Sequence, residues 1–387
     1  MVSETIFYFF STIISRGLPL VFLGYFANKL GAEEFGRFSI YQVAMLMTYA
    51  VLSMSVTTVI LRERGLKTVS LINDRAVRVV FLNHLIALPF FLIATFVSPL
   101  FILFLLYSLF NSFISLLVAN LRVEYQAKKV FLLECTNAVL AIVFSLLFIE
   151  LFRANADLRV LGVLLSTFIV GTISILIFRR YLRGMKKFYV VDFKLYRFLL
   201  PLLPHSFSIV VISMSDRVIL EYQLGLSIVG VYSALYMLSS VQLIFGETLM
   251  RVLTPYILSN NQIINTRLYF FVFMILNMCS SITLFFLAKF YVMNFLSIEY
   301  AMGLIYLDAL IMAFWLYSIY QFAIPFLVKL GKTNLIAFAS VSSAILNVVA
   351  TLIFVRYIGV EGAAYGTAVA YFSLSLFVGV FLLRAEK

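Results

Sequence analysis

Charge is what this sequence has least of. Only 12% of its 387 residues are Asp, Glu, Lys or Arg, and 64% are hydrophobic, with mean hydropathy +1.08. A soluble domain carries about 25% charged and about 45–50% apolar residues. An aqueous globular fold is therefore excluded, and the chain reads as an integral membrane protein. Cysteine is nearly absent too. Cys135 and Cys279 both lie inside apolar runs, which excludes a disulfide framework and a thiolate metal site. The only histidines are His84 and His205, so there is no histidine cluster either. No glycine-rich phosphate loop occurs, so no nucleotide is expected to drive the protein directly. No nucleophile stands beside a base. The chain is expected not to be an enzyme, with no cofactor and no metal.

What fills the chain is apolar runs. A membrane-spanning helix takes about 20 mostly apolar residues. On that ruler twelve spans are expected, making an all-α polytopic fold. Six run near Glu4–Ala27, Phe38–Leu61, Val77–Val97, Pro99–Asn120, Val130–Leu151 and Val160–Phe178. Six more run near Tyr196–Leu220, Val229–Leu253, Leu268–Phe290, Met302–Val328, Leu335–Val355 and Ala363–Leu383. Ser98-Pro99 alone divides the third from the fourth, a tight hairpin. The opening MVSETIFYFF has neither a basic n-region nor a small-residue cleavage site, so an uncleaved first helix is expected.

The net charge of +12 is concentrated in short loops, where Lys and Arg set topology, and nucleic acid is not an expected partner. Of 29 Lys and Arg, 21 collect on one side of the twelve spans and 6 on the other. The richer side holds both termini, which are therefore expected in the cytoplasm. The most basic loop, RRYLRGMKKFYVVDFK, divides a six-helix lobe, 1–179, from a second, 195–387, with 180–194 as linker.

An internal repeat supports two lobes. Leu30-Gly31, Gly36, Phe38 and Ser39 recur as Leu224-Gly225, Gly230, Tyr232 and Ser233, every pair offset by 194. Glycines at matched places suit turns needing positive φ, or close helix approach. With six spans in each lobe the repeat is parallel, its axis along the membrane normal. The second lobe opens on Lys194–Leu220, an apolar stretch holding Pro201, Pro204, His205, Asp216 and Arg217. Ionisable groups at membrane depth cost about 2.5–3.5 kcal/mol each on insertion scales, and they face a cavity or a partner.

These turns, the Pro201/Pro204 helix ending in Asp216-Arg217, and the Gly359-Val-Glu-Gly-Ala-Ala turn carry a likeness. The chain resembles the polysaccharide-biosynthesis (O-antigen, Wzx-type) flippases of the multidrug/oligosaccharidyl-lipid/polysaccharide exporter superfamily. That resemblance implies two six-helix lobes around a central cavity open to each side in turn. It implies as substrate an undecaprenyl-pyrophosphate-linked oligosaccharide, moved to the outer leaflet of a bacterial inner membrane. Membrane lipids are then partners, with a polysaccharide polymerase and a chain-length regulator as further ones. The related lipid II flippases have fourteen spans, two more than are read here.

Five residues are candidates for the site. Arg16 lies at the middle of the first span, beside Gly17 and Pro19, and its guanidinium fork suits phosphate oxygens. Few intramembrane acids could pair with it, and the best, Asp216, is expected near the opposite helix end, so a water-filled cavity is expected there rather than a buried ion pair. Arg217 is expected at the outer rim of the cavity, turned about 100° from Asp216. His205 lies about 16 Å along the helix from Asp216 and titrates near neutrality, which suits a proton or a substrate contact. Asp216 and Asp308 are the candidate ion-coupling acids. Glu247 and Arg251 are expected to neutralise each other at i, i+4, and His84 and Glu134 to be solvated or paired. A cation-coupled multidrug exporter of the same fold is the alternative. It would favour acids in the cavity, whereas Arg16 and Arg217 favour an anion. An O-antigen polymerase or ligase is a third reading, opposed by the short external loops.

Overall fold

The computed structural model describes residues 2–62, 69–181, 193–259, 266–330 and 332–385. The first-half helices are α1 (Val2–Val21), α2 (Leu23–Ser53), α3 (Thr57–Arg62), α4 (Val69–Ala94), α5 (Leu100–Val123), α6 (Ala127–Leu151) and α7 (Ala156–Phe178). There follow α8 (Phe193–Leu199), α9 (Leu203–Leu224), α10 (Leu226–Ser239), α11 (Val241–Ser259) and α12 (Thr266–Phe295). The chain closes with α13 (Ile298–Ala301), α14 (Leu307–Lys329), α15 (Thr333–Ile358) and α16 (Glu361–Ala385). No strand occurs among the described residues. The cause is the bilayer, which accepts only backbones whose N–H and C=O groups are satisfied within the segment or in a closed barrel.

Ten stretches among the described residues are long and apolar enough to cross a membrane, or eleven when the bent pair 10–21 and 23–53 counts as one. The last ten expected spans each meet one of these. The difference from twelve lies in the first 62 residues, where α1 bends by 50° into α2 at Phe22. The expected break between the first two spans falls inside α2, at Gly31 (φ 74°, ψ 168°), so α2 is two helices joined at that residue. The other expected interruptions hold. Pro99 precedes α5 and Gly359 (φ 68°) ends α15, while within the expected seventh span Pro201 lies in a 3-10 turn between α8 and α9 and Pro204 in the first turn of α9.

The chain packs as two compact units, which interleave along the sequence. The first comprises residues 1–15 and 41–210, the second 16–40 and 211–387. The crossings fall inside α1, α2 and α9 rather than at the 180–194 segment, of which 182–192 lies outside the described residues. In the first unit Ile60, Val80, Leu116, Leu117, Val130 and Leu199 form a dry core. Two polar locks sit within that unit. Asn73 and Asn120 exchange amide hydrogen bonds at 2.9 and 3.1 Å. His84 donates from Nδ1 to the Val80 carbonyl (2.7 Å), so its Nε2 accepts from the Ser108 hydroxyl (2.8 Å).

The core of the second unit is aromatic. Ring centroids lie 5.7 Å apart for Tyr232 and Tyr306, 5.1 Å for Tyr236 and Phe314, and 5.8 Å for Phe314 and Tyr371. Tyr232, Tyr236, Tyr306 and Tyr371 are all buried in this packing.

The repeat meets itself inside this unit. Gly225 (φ 90°, ψ 170°) repeats the backbone conformation of Gly31, a region only glycine enters freely. A Cβ on Gly36 would lie 2.0 Å from the Leu226 carbonyl oxygen, and one on Gly230 would lie 1.8 Å from that of Ala32. Positions 32 and 226 share the 194-residue offset, so the two contacts are reciprocal. Ser39 donates to its own repeat mate, Ser233, at 2.7 Å.

Candidate functional site

Arg16 pairs with Glu247 at 2.7 Å, and their side chains keep 46% and 28% of their surface exposed. This corrects one expectation. Arg16 has an acid partner, and Glu247 (on α11), expected to neutralise Arg251, bonds Arg16; the expected pairing with Arg251 falls on a side chain outside the described residues. The sequence concealed the pair because 231 residues separate its members, whereas 247 and 251 are one helical turn apart. The expected cavity nonetheless keeps its physical basis. A half-exposed ion pair at span depth would be severely disfavoured against hydrocarbon, so its open side must meet water or a polar ligand.

Other polar groups approach the pair from α11, α12 and α14. Gln321 stands against Gly246, the residue before Glu247, where an added Cβ would meet its Oε1 at 2.3 Å. That Oε1 is shielded and without a hydrogen-bond partner, and Nε2 makes only a long 3.5 Å bond to the Leu243 carbonyl. Tyr317, one turn before Gln321, lies within the electrostatic reach of both Glu247 and Arg16. Behind them Gln242 donates to Asn277 and accepts from Ser280 at 2.8 Å, a network with Gln242 and Asn277 buried. The sequence reading missed Gln321 and this network. The available signal was the i, i+4 spacing of Gln242 with Gly246 and of Tyr317 with Gln321 inside otherwise apolar spans.

Asp216 and Arg217 form a different kind of cluster. Arg217 is 5% exposed, and the carboxylate of Asp216 is fully buried. Arg217 donates from Nε to Ser39 Oγ (3.0 Å), and from NH1 to the Ser213 carbonyl (2.8 Å) and to Asp216 Oδ1 (3.3 Å). Its guanidinium carbon stands 4.4 Å from the centre of the Tyr236 ring. Tyr232 donates to Asp216 Oδ2 at 2.6 Å. Arg217 is thus buried and bonded through Nε and NH1, not at an open rim, and it reaches Asp216 in spite of the 100° between neighbouring side-chain directions. The long arginine arm folds back on its own helix, which the angular rule for short side chains does not anticipate.

Asp308 is exposed in the first turn of α14, where its Oδ1 accepts the Ala309 amide at 2.8 Å. That position favours a carboxylate through the helix dipole. His205 is half-buried two residues into α9 and belongs to the first unit, whereas the other four candidates belong to the second. Also in the first unit, Glu134 accepts from Arg122 at 3.0 Å and from Ser11. Of the five candidates, the fold brings only Asp216 and Arg217 into contact.

The fold is shared with solved membrane transporters. The lipid II flippase MurJ in an inward closed conformation superposes with a TM-score of 0.72 at 15% identity, over 99% of this chain and 88% of that one. The MATE multidrug transporter DinF-BH gives 0.68 at 16% identity, over 99% and 94%. Among curated proteins, an uncharacterized membrane protein of Haemophilus influenzae is 21% identical over 98% of this chain and 94% of its own length. The Lsg locus putative protein 1 of the same organism is 24% identical over 271 residues, 65% of each chain. The family model for polysaccharide biosynthesis proteins matches residues 1–261. With its apolar helices, transporter fold and this match over two thirds of its length, the chain is a multi-pass bacterial membrane protein that belongs to the polysaccharide biosynthesis protein family.

Proposed function

We propose that this protein is a flippase. It moves an undecaprenyl-pyrophosphate-linked oligosaccharide repeat unit from the cytoplasmic to the outer leaflet of the inner membrane by alternating access. The observation that carries the proposal is the half-exposed Arg16–Glu247 pair. An exposed ion pair is worth only about 0.2–1 kcal/mol, so Glu247 is a displaceable counterion. A pyrophosphate offers two phosphate groups to the guanidinium fork and competes well against one carboxylate. The unpartnered Gln321 Oε1 is shielded against Gly246 and can accept a hydrogen bond from the cargo once α14 and α11 shift. Family membership supports the polysaccharide pathway, and the likeness to a lipid II flippase supports a lipid-linked cargo.

In this reading both termini are cytoplasmic, and the lobes divide at 180–194. A polymerase and a chain-length regulator act downstream. Arg217 is withdrawn from the substrate site because it is buried against Ser39, Asp216 and Tyr236. Asp216 is retained as the proposed coupling acid, because its charge balances Arg217. Asp308 and His205 have no assigned contact with the cargo.

The test is complementation of a strain deleted for this gene, scoring surface polysaccharide and membrane abundance together. Arg16→Ala removes a charge-assisted contact and is expected to lower polysaccharide about 10- to 100-fold at unchanged abundance. Abundance is expected to hold because the orphaned Glu247 is partly exposed and can hydrate. Arg16→Lys keeps the charge without the fork and is expected to retain partial function. Full abundance with normal polysaccharide in Arg16→Ala would sink the proposal. Were Glu247→Gln instead to abolish resistance to cationic dyes, the drug-exporter alternative would take its place.

A further inference from the structure

The bend between α1 and α2 has a partner on another helix. We infer that Tyr291, on α12, is a positioning residue: its hydroxyl holds this bend and thereby sets where Arg16 stands. Every group involved lies in the second unit. The functional arm of the inference rests on the transport reading above, and the geometric arm does not.

In a straight helix the Gly24 N–H would bond the Leu20 carbonyl, four residues back. Here the Gly24 N–H donates to the Tyr291 hydroxyl (2.9 Å), and that hydroxyl donates in turn to the Leu20 carbonyl (3.4 Å). A side chain from outside has entered the ladder, which is one of the few causes of a sharp bend. Both backbone groups are thereby satisfied inside a span, as hydrocarbon requires. Ladder bonds survive close by on either side, from Phe22 to Leu18 at 3.3 Å and from Phe26 to Phe22 at 3.0 Å. Pro19 does not account for the position. A helical proline disturbs the turn before it, through its missing N–H and its clash with the carbonyl four residues back. That turn is 15–19, and the bend lies beyond it, at Phe22.

Tyr291 is fixed for this role. Its ring stacks on Phe295 at 5.2 Å and 28°. Gly24 puts no side chain in the way: a Cβ there would lie 3.0 Å from the hydroxyl and 3.2 Å from the Phe295 carbonyl. The start of α2 is tied to the same end of α12. Asn28 donates to the Phe295 carbonyl (2.8 Å) and accepts from the Ser297 amide (2.7 Å), and Tyr300 donates to the Ala27 carbonyl (3.1 Å). With α2 held, the bend decides where α1 points. Arg16 lies about 9 Å along the helix from Phe22 at 1.5 Å per residue, so closing the 50° bend would swing it by about 8 Å. The 2.7 Å contact with Glu247 cannot survive a displacement of that size.

Tyr291→Phe keeps the ring and its stacking and removes the hydroxyl, so the Gly24 N–H is expected to bond Leu20 and α1 to straighten. The first measurement does not depend on the cargo. In the full chain with Cys135→Ser and Cys279→Ser, both free thiols, Arg16→Cys and Glu247→Cys are joined by a short bis-maleimide in the purified protein. Tyr291→Phe is expected to lower the yield of this cross-link several-fold. Gly24→Pro added to it removes the same N–H, keeps the bend without the hydroxyl and is expected to restore the yield. An unchanged yield in Tyr291→Phe would overturn the inference, as would a proline variant that accumulates normally without recovering it.

The second measurement keeps the native Arg16 and scores surface polysaccharide against membrane abundance. Tyr291→Phe is expected to lower polysaccharide about 3- to 10-fold, the loss expected for one hydrogen bond. In an Arg16→Ala background it is expected to lower it no further, because it acts through Arg16. Fully additive losses would show a role apart from Arg16 and sink the inference, whether or not the proline variant accumulates. A lowered cross-link yield with no polysaccharide phenotype on gene deletion would instead reject the flippase reading and leave Tyr291 in its positioning role.

Discussion

Arg16 keeps 46% of its side-chain surface open and Arg217 keeps 7%, and this difference separates their roles. A buried pair gains little over an apolar substitute, yet breaking it by removing one partner costs about 3–5 kcal/mol. Asp216→Asn is therefore expected to lower membrane abundance and melting temperature, because it leaves the Arg217 charge uncompensated. Arg217→Leu added to Asp216→Asn is expected to recover abundance, measured by immunoblot and by thermal denaturation in detergent. If Asp216 also couples transport to an ion gradient, the recovered double variant will have lost gradient dependence. The Asn73–Asn120 pair in the first unit follows the same logic without charge. Asn120→Leu strands the Asn73 amide and is expected to cost about 1–3 kcal/mol, read from the same melting curve.

At the scale of elements, glycines of one chemical type have opposite consequences according to what they face. Gly36 meets a carbonyl of α10 so closely that no Cβ fits, whereas around Gly17 nothing lies within 4 Å. Gly36→Ala is expected to force α2 away from α10 and lower the melting temperature. Gly17→Ala is expected to stabilise α1 by up to about 1 kcal/mol, since alanine is the better helix former. The same change stiffens the helix that carries Arg16, two turns before the 50° bend at Phe22. A stability gain with slower polysaccharide export would show that α1 must flex. Equal melting temperatures for the two variants would contradict the packing at Gly36.

At the scale of the molecule, the 21-to-6 division of Lys and Arg sets the expected orientation. Reporter fusions after Lys387 and within Arg180–Lys187 are both expected to report cytoplasm. A periplasmic signal at either would overturn this orientation. The two units add a condition of their own. Their crossings lie inside α1, α2 and α9, so a cut near 180–194 does not isolate either packed unit. Co-expressed halves 1–187 and 188–387 are therefore expected to be recovered together on purification, with neither half stable in the membrane alone.

Amino-acid pattern alone was enough for membrane residence, the helical class, ten of the spans and the repeat at 194. These follow from hydrophobic run length and from glycines at turns, which are local or periodic properties. The identity of Gly31 and Gly225 as positive-φ turns was legible for the same reason. The partner of Arg16 was not, because Glu247 is 231 residues away and no local rule points to it. Nor was the burial of Arg217, since a neighbouring pair such as Asp216-Arg217 says nothing about which helix will cover it. That the repeated segments touch each other, rather than lying at matched but distant places, depends on how α2 and α10 cross. Such crossings are set by packing across the whole chain, where every partner is remote in sequence, and only the tertiary structure decides them.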